Sequence, residues 1–217
     1  SIPLPRRPFY FEFSTNEKVA TEVAFGASLN GHLSTVFFKS VGLNVASDSF
    51  VQLSLLNLIG GMVIVLGDDP GANSSQNEQD NRHYARMSYT PMLEPAGPAE
   101  VYAYYKEAAT LAKNMGKAVI LRLTTHVCHA KERVAFSGWT VASEPDNTPR
   151  FDPANGPYIP LVSAVYPKKR KALADLPQVE KWLDDRKLHR IVANNSHRGI
   201  IVSGMVYLSV EEVLASL

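Results

Sequence analysis

Seven amide or carboxylate side chains stand within the nine residues from Asn73 to Asn81: Asn73, Gln76, Asn77, Glu78, Gln79, Asp80 and Asn81. They follow Gly67-Asp68-Asp69-Pro70-Gly71, which itself follows the apolar run 62–66. Carboxylates in such a place can act as acids, bases or metal ligands, and carboxamides can donate to and accept from one polar ligand. Local structure accounts for part of the pattern. Asp69-Pro70-Gly71 is a turn sequence, Ser75-x-x-Glu78 has the form of a capping box, and Glu78 stands four residues before Arg82. A solvated helix built that way does not explain why Gln76, Asn77, Gln79 and Asn81 occupy positions that stronger helix formers would fill. Asp68, Asp69, Ser75, Gln76, Asn77, Gln79 and Arg82 are therefore candidates for lining a substrate pocket.

Three further places carry chemistry-bearing residues. In Phe11-Glu12-Phe13-Ser14-Thr15-Asn16-Glu17-Lys18, Glu17 falls in the first turn of a helix that follows a strand. The competing reading is structural, since Ser14-x-x-Glu17 is also a capping box and an acid there suits the helix dipole. In Lys39-Ser40-Val41-Gly42-Leu43-Asn44, read as the loop after the next strand, Gly42 would let backbone approach a ligand and Lys39 is a further candidate for the substrate pocket, with an ordinary strand-to-helix turn as the alternative. In Arg122-Leu123-Thr124-Thr125-His126-Val127-Cys128-His129, continued as a strand, His126 and Cys128 share a face and His129 points away. Three metal ligands then fail to converge, so no metal site is expected and His126 lines a pocket edge.

The elements that must position these residues alternate. Strands are expected at 9–13, 35–38, 62–66, 92–94 and 118–123, with helices at 15–29, 46–59, to about 87 after the polar loop, and at 99–115 after Pro98. This spacing predicts an α/β fold, a parallel sheet with helices on both faces. Glu17, the 39–44 loop, the 68–82 segment and residues 124–126 then share the edge at the carboxyl ends of the strands, where open α/β sheets bind ligands. Six of the fourteen prolines fall between Pro145 and Pro167 without sustained periodicity, which reads as a linker. A basic helix over 168–187, a strand over 199–203 and a helix from 209 follow, as part of a second α/β domain.

Composition narrows the function classes. A chain of 217 residues, 45% hydrophobic, is long enough to bury a sizeable core. Its net charge of +1 offers no footprint for nucleic acid or an anionic membrane, and Arg6-Arg7 and the 168–171 run are short enough to be solvated surface. No apolar run approaches the roughly 20 residues needed to cross a bilayer. The single Cys128 cannot form an internal disulfide or hold a cluster that needs about four thiolates, so a reducing, cytoplasmic setting is expected. The chain begins without Met and reads as a piece of a longer protein.

Three ordered motifs carry a family resemblance: Ser14-Thr15-Asn16-Glu17-Lys18-Val19-Ala20, then Val41-Gly42-Leu43-Asn44-Val45-Ala46-Ser47-Asp48, then Asp68-Asp69-Pro70-Gly71 with Ser74-Ser75-Gln76-Asn77-Glu78-Gln79-Asp80-Asn81-Arg82. Together they resemble the alpha subunit of indolepyruvate ferredoxin oxidoreductase, of the thiamine-diphosphate-dependent 2-oxoacid oxidoreductase family. The likeness spans residues 9–135 and, more loosely, 190–217. It implies the thiamine-diphosphate-binding fold: a pyrimidine-binding domain over 1–136 that lacks its first strand and helix, a Pro-rich linker over 137–167, and part of a transketolase-C-like domain over 168–217.

By the same resemblance Glu17 is the catalytic glutamate that holds N1′ of the aminopyrimidine, and Val41, Gly42, Leu43 and Asn44 contribute to binding the cofactor. Gly67-Asp68-Asp69 departs from the family's magnesium motif Gly-Asp-Gly, so magnesium and diphosphate are expected on a part of the enzyme absent from this chain. The 4Fe-4S clusters are likewise expected elsewhere in the complex. Implied partners are the rest of the alpha subunit, a beta subunit, ferredoxin, coenzyme A and a 2-oxoacid, in an oligomer, with this chain inactive by itself. Indolepyruvate or a related aryl 2-oxoacid is the implied substrate. The alternatives are a related phenylglyoxylate or branched-chain 2-oxoacid oxidoreductase subunit, or a non-catalytic interaction module with a degenerate site.

Overall fold

A computed structural model describes residues 9–136, 148–193 and 195–216. Arg6-Arg7 and residues 137–147 of the expected linker lie outside the described residues. The order of elements is α1 (Glu17–Leu29), β1 (Ser34–Lys39), α2 (Gly42–Leu53), β2 (Met62–Asp68), α3 (Arg82–Ser88), β3 (Met92–Leu93), α4 (Pro98–Met115), β4 (Ala118–Thr124), α5 (Thr125–His129), α6 (Val162–Asp185) and α7 (Val206–Ala215), with a 3-10 turn at Pro153–Asn155.

The four strands form one sheet in the order β1-β2-β4-β3, with every pairing parallel. Parallel strands need crossover connections, and helices supply them on both faces, as the alternating sequence pattern predicts. Side chains alternate along each strand. Met62, Ile64 and Leu66 of β2, with Ala118 and Ile120 of β4, join Leu43, Phe50 and Leu53 of α2 in one apolar layer. Val63, Val119 and Leu121 face the other way, onto Ala108, Leu111 and Ala112 of α4 and Val179 of α6. The central strands β2 and β4 are buried on both faces, hence their near-continuous apolar sequences. The turn after α4 requires Gly116: its φ of +60° is left-handed, and a Cβ there would stand 2.3 Å from Asn57 Oδ1.

Several expected boundaries move. Residues 9–13 are not a strand: Phe9, Tyr10 and Phe13 are exposed, and Phe11 stacks on Phe37 at 6.0 Å between ring centroids without extending the sheet. Their alternating aromatics mimic a strand, but a strand exists only through a ladder. The same reason removes the strand expected over 199–203, where Ile200 is 62% and Ile201 100% exposed. The 46–59 helix is displaced to Gly42–Leu53, so residues 42–44 form a helical first turn rather than a loop.

α6 begins at Val162 and runs through Pro167 and Pro177, although a proline removes a helical hydrogen bond. Its Val179, Trp182 and Leu183 pack against the α4 side of the sheet. Among the described residues no helix is long and apolar enough to cross a membrane.

Candidate functional site

The carboxyl ends of β2 and β4 meet the amino ends of α1 and α2 along one edge of the sheet. Asp68, the last residue of β2, and Arg122 of β4 lie on the same face, and Arg122 Nε donates to Asp68 Oδ2 at 2.6 Å. Arg122 Nη1 reaches Glu94 Oε1 at 2.9 Å. The Asp68 side chain is fully buried and that of Arg122 6% exposed, so each charge depends on the other for the solvation it has lost.

Asn81, itself 0% exposed, donates through Nδ2 to Asp68 Oδ1 at 2.5 Å and to the Ser40 carbonyl at 3.5 Å. Gln79 continues the chain of bonds. Its Nε2 donates to Asn81 Oδ1 at 2.7 Å and to the Ser40 carbonyl at 2.9 Å, and its Oε1 accepts from Asn44 Nδ2 at 2.7 Å and Asn77 Nδ2 at 2.9 Å. Tyr84 closes the network by donating its hydroxyl proton to Asn44 Oδ1 at 2.9 Å. Carboxamides suit this role because each donates and accepts at once. Gln79, Asn81 and Asn44 thus tie the polar segment to the start of α2.

The capping-box helix expected from Ser75 does not form. Residues 73–80 are bends and coil, Asn81 turns into α3 at Arg82, and the partner of Arg82 is Asp80 at 2.7 Å rather than Glu78. The Arg82 guanidinium draws the Asp80 pKa down to about 2. Asp69 is also pushed down to about 2, by the Thr125 hydroxyl that donates to Oδ1 at 2.6 Å and the Ser74 amide that donates to Oδ2 at 2.6 Å. Lys39 Nζ donates to the Ser74 carbonyl. The Ser75 hydroxyl is shielded from solvent, and Gln76 is exposed on the outer side of the loop. These bonds hold the turn after β2 in one shape.

Glu17 stands apart from this network. The amino cap of α1 is Asn16, whose Oδ1 accepts from the Val19 amide at 3.0 Å, while Ser14 donates instead to Glu12. The Ser14 capping box is therefore absent, and Glu17 is the first helical residue with its carboxylate uncommitted to its own backbone. Its side chain, partly exposed, lies over the first residue of α2. A Cβ on Gly42 would stand 2.7 Å from Glu17 Cγ and 2.9 Å from Oε1. The carboxylate makes no hydrogen bond or ion pair within the described residues. Gly42 clears the space it occupies, and the amino end of α2 presents the partial positive charge of its helix dipole beside it.

Of the other α2 residues, Leu43 has its side chain wholly in the core, Val41 is partly exposed as the amino-terminal flank, and Asn44 spends its amide on Gln79 and Tyr84. His126 is exposed on α5, because the chain turns helical at Thr125 rather than continuing as a strand; the face-sharing argument for His126 and Cys128 lapses with it. Among the described residues no three His, Cys, Asp or Glu side chains group as metal ligands. Sequence reasoning passed over Arg122 and Glu94 as parts of the edge, while Thr125 falls where it was expected, beside Asp69. An arginine inside the apolar run Ala118-Val119-Ile120-Leu121-Arg122-Leu123 was the available signal, since a charge in a doubly buried strand requires a partner.

No family model matches the chain. Curated proteins do. Indolepyruvate oxidoreductase subunit IorA of Methanothermobacter thermautotrophicus is 39% identical over 214 residues, 98% of this chain and 34% of that protein. The subunit of the same name is 34% identical over 212 residues in Archaeoglobus fulgidus, covering 96% of this chain and 33% of that protein. In Pyrococcus abyssi it is 35% identical over 213 residues, covering 97% and 33%. The chain spans about a third of the length of the curated relatives it matches.

Proposed function

We propose that this chain, homologous to a third of the indolepyruvate oxidoreductase subunit named IorA, is the part of a 2-oxoacid oxidoreductase subunit that presents Glu17 to the aminopyrimidine of thiamine diphosphate. One observation carries the reading: Glu17 sits at the carboxyl edge of a parallel sheet, free of its helix cap and of any ion pair among the described residues, in a space that the missing side chain of Gly42 leaves clear.

The arrangement fits that group on chemical grounds. A carboxyl group with nothing to hold can take a protonated ring nitrogen, and the missing side chain of Gly42 gives the Glu17 side chain its room at the start of α2. Thiamine diphosphate, when bound, supplies the carbanion-stabilising chemistry that decarboxylation of a 2-oxoacid needs. The chain's part is to hold a proton at the Glu17 carboxyl and to fix the direction from which it is offered. The Asp68, Asn81 and Gln79 network secures the Ser40 carbonyl two residues before Gly42. That is how the polar segment bears on the site: it sets the floor beneath Glu17.

Magnesium, the diphosphate and the electron-carrying 4Fe-4S clusters belong, in this reading, to parts of the full subunit and its beta subunit outside this chain. Indolepyruvate or a related aryl 2-oxoacid is the substrate, coenzyme A takes the acyl group and ferredoxin the electrons. The test is Glu17→Gln in the full-length subunit assembled with its partners. Loss of turnover by roughly 10²- to 10⁴-fold with thermal unfolding unchanged supports the reading. Turnover within a factor of two of the parent refutes it.

A further inference from the structure

At the opposite, amino-terminal edge of the sheet, a cleft of about 280 Å³ opens between α6 and two turns of the core. One wall is a single face of α6, with Lys168, Lys171, Ala172 and Asp175 at spacings of three and four residues. The other wall is made of residues 54–57 after α2 and 115–117 after α4, and Asn155-Gly156 closes one end. Three lysines, Lys117, Lys168 and Lys171, face one carboxylate there.

The arrangement of those charges is uneven. Asp175 Oδ2 accepts from both Lys117 Nζ and Lys171 Nζ at 2.8 Å, and the Lys117 and Asp175 side chains are only 9% and 10% exposed. One aspartate thus answers two lysines. Lys168, partly buried on the same face, has no ion pair or hydrogen bond among the described residues, and desolvation lowers its pKa. A half-buried ammonium without a counter-charge is costly unless an anion meets it. Asn57 and Asn155 add carboxamides at the rim.

We propose that this cleft is an oxyanion site, which takes phosphate or the phosphate group of a small ester, with Lys168 as the principal cation and Lys171 as its companion. It lies at the far end of the strands from Glu17 and does not depend on the role proposed for that residue. The volume suits a phosphate with a short organic tail rather than a bare ion, being close to the lower limit of small-ligand pockets.

The test uses the 217-residue chain at constant ionic strength, with chloride exchanged for inorganic phosphate, pyrophosphate or glycerol phosphate. The unfolding temperature should rise with the logarithm of phosphate concentration above Kd, by about 5–10 °C at a hundredfold excess, and amide resonances of Gly116 and Gly156 should shift saturably with the same Kd. Lys168→Gln should weaken binding at least tenfold while its unfolding temperature without phosphate stays equal to the parent's or rises. Lys171→Gln, at a side chain 70% exposed, gives a second, gentler loss. Tighter binding of glycerol phosphate than of phosphate marks an ester site, and the reverse marks a free-anion site. Either order supports the cleft. No saturable shift, an unaltered affinity in Lys168→Gln, or resonance changes confined to Lys39 and Arg82 at the other edge would overturn it.

Discussion

Replacing Gly42 with alanine should separate a structural from a positional role for Glu17. Alanine is the better helix former by up to about 1 kcal/mol, so at the start of α2 the change alone should stabilise. The new Cβ, however, would stand 2.7 Å from Glu17 Cγ. Carbon atoms rest at about 3.5 Å or more, so the Glu17 side chain must retreat by about 0.8 Å. Leaving its rotamer costs on the order of 0.5–1.5 kcal/mol, which cancels the helix gain. Gly42→Ala should therefore be near neutral in stability with Glu17 present and stabilising in a Glu17→Ala background.

Urea unfolding of the four proteins in that cycle measures the coupling, expected at about 1 kcal/mol. On the role proposed for Glu17, the same 0.8 Å displacement should lower kcat of the assembled enzyme by about a hundredfold, in line with the cost of a 1 Å misplacement. Additive stabilities would refute the contact. Full turnover in Gly42→Ala would refute the claim that the position of Glu17 matters.

The remaining predictions concern the polar edge. Arg122→Met leaves Asp68 and Glu94 without their cation in a buried place and should cost about 3–5 kcal/mol in urea unfolding, whereas Arg82→Met, at a side chain 54% exposed, should cost under about 1 kcal/mol. Equal losses would contradict the burial argument. Acid should loosen the turn after β2: the Asp69 and Asp80 pKa values lie below their ordinary 3.8 in the folded chain, at about 2. Their contribution is complete above the ordinary value and disappears as pH falls from about 4 through about 2. Thr125→Val removes the main donor to Asp69 and should raise its titration midpoint toward 3.8, read by carboxyl NMR; an unmoved midpoint would assign the shift to another cause.

What the sequence made legible was whatever a local period or spacing encodes. The parallel sheet, the helices on both faces and the shared edge followed from apolar runs alternating with helical patterns, because the buried strands β2 and β4 and helix α4 each announce their own environment. What it hid depended on distant partners. Residues 9–13 have strand-like alternation and 199–203 a β-branched apolar run, yet a ladder needs a free edge at the right place, and no local pattern supplies that. The start of α2 was misplaced because Gly42 looks like a loop residue until the carboxylate that needs its empty side is known. The Asp68–Arg122 pair is 54 residues apart in the chain and had only the buried arginine to betray it.

The polar segment shows why residue type alone misleads about purpose. By type its carboxamides point to a ligand, since poor helix formers in a helix call for an explanation. The helix is absent over those residues, and Gln79 and Asn81 answer instead to the Ser40 carbonyl, Asn44 and Asp68. A ligand-facing amide needs an unspent donor or acceptor, and these have little left. Glu17 is the opposite case: a residue with a ready structural explanation in its capping box loses that explanation once Asn16 takes the cap. A carboxylate held in place by packing and left without a partner retains its full hydrogen-bonding capacity for something outside the chain. Among the described residues of this edge the unspent hydrogen-bonding capacity therefore belongs to the Glu17 carboxylate rather than to the amides, and the role proposed for Glu17 rests on that contrast.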